Sequence, residues 1–291
     1  APKFAMWCNI VPGILNVLLD WIFIFPLGMG VEGAAIATSI SISIGGFMAL
    51  GYLLCRAKDL KLIRLKMSAK SIALAFRNVG YHCRIGSSTL LGELALAVMF
   101  YVGNRVFMHY LGDTGVGAYG IACYYMPFFF MVGNSIAQSA QPIISYNYGI
   151  DRWTRIVEAR KVLLMTCLGF GVAVSLIFIL FPKGLVGLFI PIESEAAIIA
   201  INGFPLLSIG ILFFILNVAI IGYYQSVERM GKATLYVFLR GFVFIVPCFL
   251  ILPKFLGTVG IWLAMPASEL LTSLFIALSV FPSRLKSLRK Q

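Results

Sequence analysis

Charge is scarce in this chain: Asp, Glu, Lys and Arg make up 12% of its 291 residues, about half the ~25% found in soluble domains. So little polar surface excludes a water-soluble fold of this size, because the core could not be covered. Cysteine pairing is also lacking. Cys8, Cys55, Cys83, Cys123, Cys167 and Cys248 stand singly, and neither His82 nor His109 has a ligand partner at helical spacing. These absences argue against a disulfide framework and a zinc centre, and leave the cysteines as small hydrophobes. No nucleophile–base–orienter set and no phosphate-cradling glycine loop occurs, so neither an enzyme nor a cofactor is expected. No stretch reads as a cleaved signal peptide.

What is present is apolar. Hydrophobic residues make up 60% and the mean hydropathy is +0.96. The surplus must face lipid. Runs near the ~20 residues needed to cross a bilayer recur over 7–25, 32–54, 85–111, 116–147, 159–181, 196–224, 233–252 and 259–281. This predicts an all-α polytopic transmembrane bundle of eight spans, with the lipid bilayer as its main partner.

The net charge of +12 is a topology signal. Taking alternate loops, one side holds Lys3, the eight basic residues from Arg56 to Arg84, Arg152, Arg155, Arg160, Lys161, Arg229, Lys232 and the tail. That is 19 of the 23 Lys and Arg residues. By the positive-inside rule this side is cytoplasmic, which places both termini there and removes any need for a nucleic-acid partner. The basic stretch 56–84 separates spans 1–2 from spans 3–8. Its second half, Ala69 to Val79, sets Ile72, Leu74, Phe76 and Val79 against Lys70 and Arg77, the pattern of an interfacial amphipathic helix or of an ordinary cytoplasmic loop.

An internal repeat gives these spans an order. Pro26, Gly30, Gly33 and Ala37 recur as Pro253, Gly257, Gly260 and Ala264, each bridging a span–short outer loop–span hairpin. Parallel repeats of this kind build transporters from two halves. If 259–281 closes the second half, that half has six helices and the first retains only two. Residues 1–55 then form the last hairpin of an N-lobe, 56–84 the inter-lobe linker, and 85–291 a six-helix C-lobe with a basic cytoplasmic tail. The chain begins Ala-Pro-Lys, and the expectation is of a piece lacking about four N-terminal helices.

Ionisable groups at membrane depth are costly and default to functional candidates. Asp20, Glu93 and Glu269 qualify. Asn16 lies one helical turn before Asp20, and Thr38 sits at the same level in span 2. Carboxylate, amide oxygen and hydroxyl together suit H⁺ or a small hard cation such as Na⁺, or they hold helices together by hydrogen bonds. The repeat places Val243, Pro247 and Met265 at the matching positions, which favours a functional role. Glu93 could bind substrate or relay protons. Arg105 and Arg240 are candidate partners for the acids, although no spacing fixes a pair. Tyr125 in an aromatic run, Tyr224 at the end of span 6, and Gln138 and Gln141 in span 4 could line a substrate path or simply pack.

Several stretches in order resemble the multidrug and toxic compound extrusion (MATE) transporters. They are Phe23 to Thr38 (FIFPLGMGVEGAAIAT), Ala137–Gly149 (AQSAQPIISYNYG), Gly222–Ser226 (GYYQS) and Gly257–Glu269 (GTVGIWLAMPASE). The resemblance spans the whole chain and maps it onto the fifth to twelfth of twelve helices. It implies two lobes around a V-shaped cleft and a multi-pass monomer in the plasma membrane. It also implies export of amphipathic, often cationic compounds against inward Na⁺ or H⁺ flow. The N-lobe cation site of the family resembles Asn16, Asp20 and Thr38, with a further acid this chain lacks, and Glu93 looks like the acid of the seventh helix. A flippase for lipid-linked saccharides or other lipids, and a non-transporting scaffold, are the rival expectations.

Overall fold

The computed structural model of the chain describes residues 2–56 and 68–288. The helices are α1 (Pro2–Ile24), α2 (Gly30–Cys55), α3 (Ala69–Gly149), α4 (Trp153–Leu180), the short α5 (Pro182–Gly187), α6 (Glu195–Ser226), α7 (Met230–Phe238) and α8 (Ile245–Leu288). A π-helical turn, Leu239–Phe244, joins α7 to α8. Among the described residues there is no strand.

Six continuous helical runs are long and apolar enough to cross a membrane. Two are broken by a glycine in the left-handed region: Gly112 (φ 62°, ψ −157°) in α3 and Gly257 (φ 59°, ψ −135°) in α8. Six runs with two breaks give eight helical segments among the described residues, the number expected from hydropathy. Gly30, which begins α2, has φ 54°. Gly257 thus shares a positive φ with its repeat partner Gly30, although residues 25–29 before Gly30 are non-helical while Gly257 breaks a continuous helix. Gly112 with Gly115 supplies a third such pair that the offset had not revealed. Only glycine adopts this conformation at low cost. Ala37 and Ala264, matched in the repeat, are both fully buried.

The other chain reversals use a different device. Asp151 and Glu228 both have φ 55°. The next residue bonds back across each helix end: Arg152 N–H donates to Asn147 O at 2.9 Å, and Arg229 N–H to Tyr224 O at 2.9 Å. These are Schellman-type closures with an acid where glycine is preferred.

The chain divides into two compact units, Ala1–Ala75 and Phe76–Gln291. In the first, α1 lies along α2, with the Phe4 and Tyr52 rings stacked at 4.5 Å. In the second, α6 is the central helix and packs against α4, α5, α7 and α8. Phe107, Trp262, Phe204 and Phe178 form a chain of ring contacts through this core. Gly203 lies so close to the Trp262 ring that any Cβ would collide with it. Outward-facing Leu176, Ile179, Leu180 and Leu278 remain exposed, as a lipid-facing surface requires. Because lipid removes the hydrophobic drive between helices, close packing of small residues takes its place.

The linker expected over 56–84 lies partly outside the described residues. From Ala69 onward it forms the exposed beginning of α3, continuous with the span that follows.

Candidate functional site

In the first unit, Asn16 and Asp20 sit on α1 and Thr38 on α2. Asn16 Nδ2 donates to Thr38 Oγ1 at 3.3 Å. The Thr38 hydroxyl is itself spent on its own helix, donating to Ala34 O at 2.9 Å. The structure therefore joins two members of the trio directly. Asp20 lies one turn along the same helix, and its Oδ1 is buried with no hydrogen-bond partner. A buried acceptor without a donor is costly, and a proton or a hard cation would satisfy it.

In the second unit, Glu93, Gln138 and Gln141 line one cavity of about 140 Å³, together with Asn134, Gln225 and Arg240. Two close helix approaches build it. Ala137 on α3 packs on Gly222 of α6, where an added Cβ would lie 2.6 Å from the Ala137 Cβ. This brings Gln138 and Gln141 beside Gln225, whose Nε2 donates to Ser88 Oγ at 2.9 Å. Ala95 of α3 packs on Gly241 of the π-helical turn with no room for a side chain there. Glu93 and Arg240 flank that contact.

Tyr125 and Tyr224 do not join this cavity. The Tyr125 hydroxyl donates to Leu185 O at 3.0 Å, tying α3 to α5, while its ring packs edge-on against Phe178 and Phe204. Tyr224 is buried in the core, with its ring 5.3 Å from that of Tyr236. Both rings pack against neighbouring aromatic side chains.

Arg240 holds the feature that spacing could not reveal. Its Nε donates to Glu269 Oε1 at 2.6 Å, with 5% and 3% of the two side chains exposed. Asn217 Nδ2 donates to Glu269 Oε2 at 2.8 Å and to its backbone O at 2.9 Å. Ser273 Oγ then donates to Asn217 Oδ1 at 2.9 Å. The guanidinium also lies over the Phe214 ring, 4.0 Å from its centroid. Arg240 and Glu269 come from helices far apart in sequence. The available signal was only that each is a lone charge in its span. Arg105 is exposed and makes no ion pair among the described residues. The other pair among them is the surface contact Arg155–Glu158 at 3.4 Å. The Glu93 carboxylate has no counter-ion among the described residues.

The second unit thus keeps one carboxylate, one guanidinium and several amides around an internal cavity of a helical bundle with membrane-spanning runs, and ionisable groups at such depth mark functional sites. The family model described as MatE matches residues 89–250, more than half of the chain. The chain belongs to the MatE family. It is 26% identical over 286 residues to the multidrug export protein MepA of Staphylococcus saprophyticus, covering 97% of this chain and 60% of that protein. MepA of Staphylococcus aureus is 24% identical over 285 residues with the same coverage. The chain thus spans about 60% of the length of these curated relatives. Among solved structures, the outward-facing conformation of a multidrug resistance MATE family transporter of the MOP superfamily superposes with TM-score 0.84 at 20% identity. That match covers 98% of this chain and 63% of the other. A MOP superfamily transporter from Pyrococcus furiosus, described as having a binding pocket of reverse polarity that suggests a different function, also gives 0.84, at 19% identity and the same coverage.

Proposed function

We propose that the chain works within a secondary active transporter that exports amphipathic, cationic compounds by alternating access, driven by Na⁺ or H⁺ entry. The observation that carries this reading is the charge of the C-lobe cavity. Its wall contains one acid and one base, but Arg240 is held by Glu269, so Glu93 is left as the charge a ligand meets. A lone carboxylate among amides, with the Phe130 ring in the same wall, suits an organic monocation. Export of several drugs is what the name of MepA states of that protein, and this supports the breadth of substrates.

Coupling is assigned to Asp20, with Asn16 and Thr38 as neighbours. Its unpartnered oxygen supports a site that gains an ion or a proton in one state and loses it in the other. Two ligands that prefer different states are coupled through the conformational equilibrium they share. In this reading residues 1–55 belong to an N-lobe, 56–84 to a linker and 85–291 to a C-lobe. The protein acts as a monomer in the plasma membrane with both chain ends cytoplasmic.

The test is Asp20→Asn in a cell line expressing the complete transporter. Ethidium efflux driven by an imposed Na⁺ or pH gradient should be lost while membrane insertion is retained. Unchanged efflux would rule out Asp20 as the coupling site.

A further inference from the structure

We infer that Glu269 sets the charge selectivity of the Glu93 cavity by sequestering Arg240, so that this pair is a specificity device. The inference rests on the proposed cation site at Glu93 and names how its sign preference is fixed.

Three observations support it. First, Arg240 belongs to both structures at once: its Nε is bonded to Glu269 Oε1, and its side chain lines the same cavity as Glu93. The two terminal nitrogens donate to no partner among the described residues. Second, Glu269 is fixed independently of Arg240, because Asn217 holds its second carboxylate oxygen and its backbone carbonyl. Ser273 in turn orients Asn217. The carboxylate is thus presented to Arg240 by a prepared scaffold. Third, Arg240 sits on the π-helical turn Leu239–Phe244, and π-bulges inside helices occur frequently at functional sites. The adjoining Gly241 is pressed against Ala95, which keeps Arg240 close to the segment carrying Glu93.

The arrangement gives the cavity a net negative character even though one basic and one acidic side chain line it. Neutralising Glu269 without changing its shape would release the guanidinium charge toward Glu93. Glu93 and Arg240 would then offset each other, leaving the Arg240 terminal nitrogens to attract an anion. A unit charge several ångströms from a ligand in a partly wet site changes affinity on the order of tenfold or more. Glu269 acts through Arg240 and is therefore a positioning residue.

The experiment measures equilibrium binding of radiolabelled tetraethylammonium and p-aminohippurate, soluble monovalent ions of opposite sign, to the purified chain in nanodiscs. Glu93→Gln defines the cation binding that belongs to the cavity, so loss of tetraethylammonium there tests the proposed function alone. Glu269→Gln should weaken tetraethylammonium about tenfold or more and create p-aminohippurate binding. Arg240→Gln/Glu269→Gln should return tetraethylammonium to within about threefold of the parent and abolish p-aminohippurate binding. Glu269→Asp, which keeps the charge, should retain the cation preference. The reversal in the double variant is a result that a merely structural role for Glu269 would not produce. If Glu269→Gln fails to fold, Arg240→Gln decides instead, and it should bind tetraethylammonium at least as tightly as the parent. The inference is overturned if Glu269→Gln keeps the parent's preference, if the double variant stays as weak as the single one, or if Arg240→Gln loses the cation. Anion binding that appears in Glu269→Gln and vanishes in the double variant would support it even if Glu93→Gln left cation binding intact.

Discussion

Removing one member of the Arg240–Glu269 pair should cost far more than removing both. The charges sit about 4 Å apart between centres, and at an effective dielectric of ~20 their attraction is about 4 kcal/mol. Both side chains are almost wholly buried, so either one left alone retains its desolvation cost without its partner. Breaking a buried pair in this way typically costs ~3–5 kcal/mol. Arg240 reaches a cavity that can admit water, which points to the lower end of that range. Glu269→Leu should therefore destabilise by about 3 kcal/mol through the orphaned guanidinium. The Asn217 bond to Oε2 adds ~1 kcal/mol when it is lost, for about 4 kcal/mol in all. Replacing both charges by apolar groups of similar volume is often close to neutral, so Arg240→Met/Glu269→Leu should lie within ~1–2 kcal/mol of the parent. The measurement is reversible unfolding in mixed SDS and detergent micelles, followed by tryptophan fluorescence across the double-mutant cycle. A coupling of about 3 kcal/mol or more is expected. A coupling below ~1 kcal/mol would mean that the pair is hydrated in the membrane and not desolvated.

Other substitutions test separate features. Gly257→Ala puts a Cβ on a residue at φ 59° and should destabilise by about 1–2 kcal/mol, read as a lower midpoint in the same assay. Glu228→Gly acts in the opposite direction, because it relieves an acid at φ 55°, and should stabilise by ~0.5–1 kcal/mol. Ser194→Ala removes the cap on α6, where the Ser194 hydroxyl accepts from Ala197 N–H at 3.3 Å. The length of that bond places the loss near ~0.5 kcal/mol, and a midpoint shift above twice that would indicate a second role for Ser194.

Hydropathy and charge made the helical class readable because both are carried by whole segments and do not depend on which side chain touches which. The repeat at Gly30 and Gly257 was readable because positive φ restricts the residue type, so backbone geometry leaves a mark on the sequence. Gly112 obeys the same rule but lies outside the single offset that linked the first two. The boundary between α3 and its preceding loop was less legible. Residues 69–84 are polar enough to read as a separate surface helix, yet nothing in them ends a helix before the span begins. The cavity was half visible. Glu93, Gln138 and Gln141 stood out as polar groups in apolar runs. Their convergence depends on Gly222 and Gly241, whose significance lies in the neighbour each admits. Arg240 was readable as a candidate partner for the buried acids, but its choice of Glu269 was not, since contacts between distant helices follow packing and not spacing.

The glycine turns have a practical consequence for anyone wishing to label this molecule. In the second unit, Leu111, Ile199 and Thr258 border a single pocket, so the reversals at Gly112 and Gly257 lie at one end with the start of α6. Two of the three connections at that end have almost no chain to spare. An epitope tag or protease site inserted beside Gly112 or Gly257 would have to unwind a helix to be seen. Within the second unit, the stretch between α5 and α6, residues 188–194, is the connection at that end with slack enough to carry a reporter.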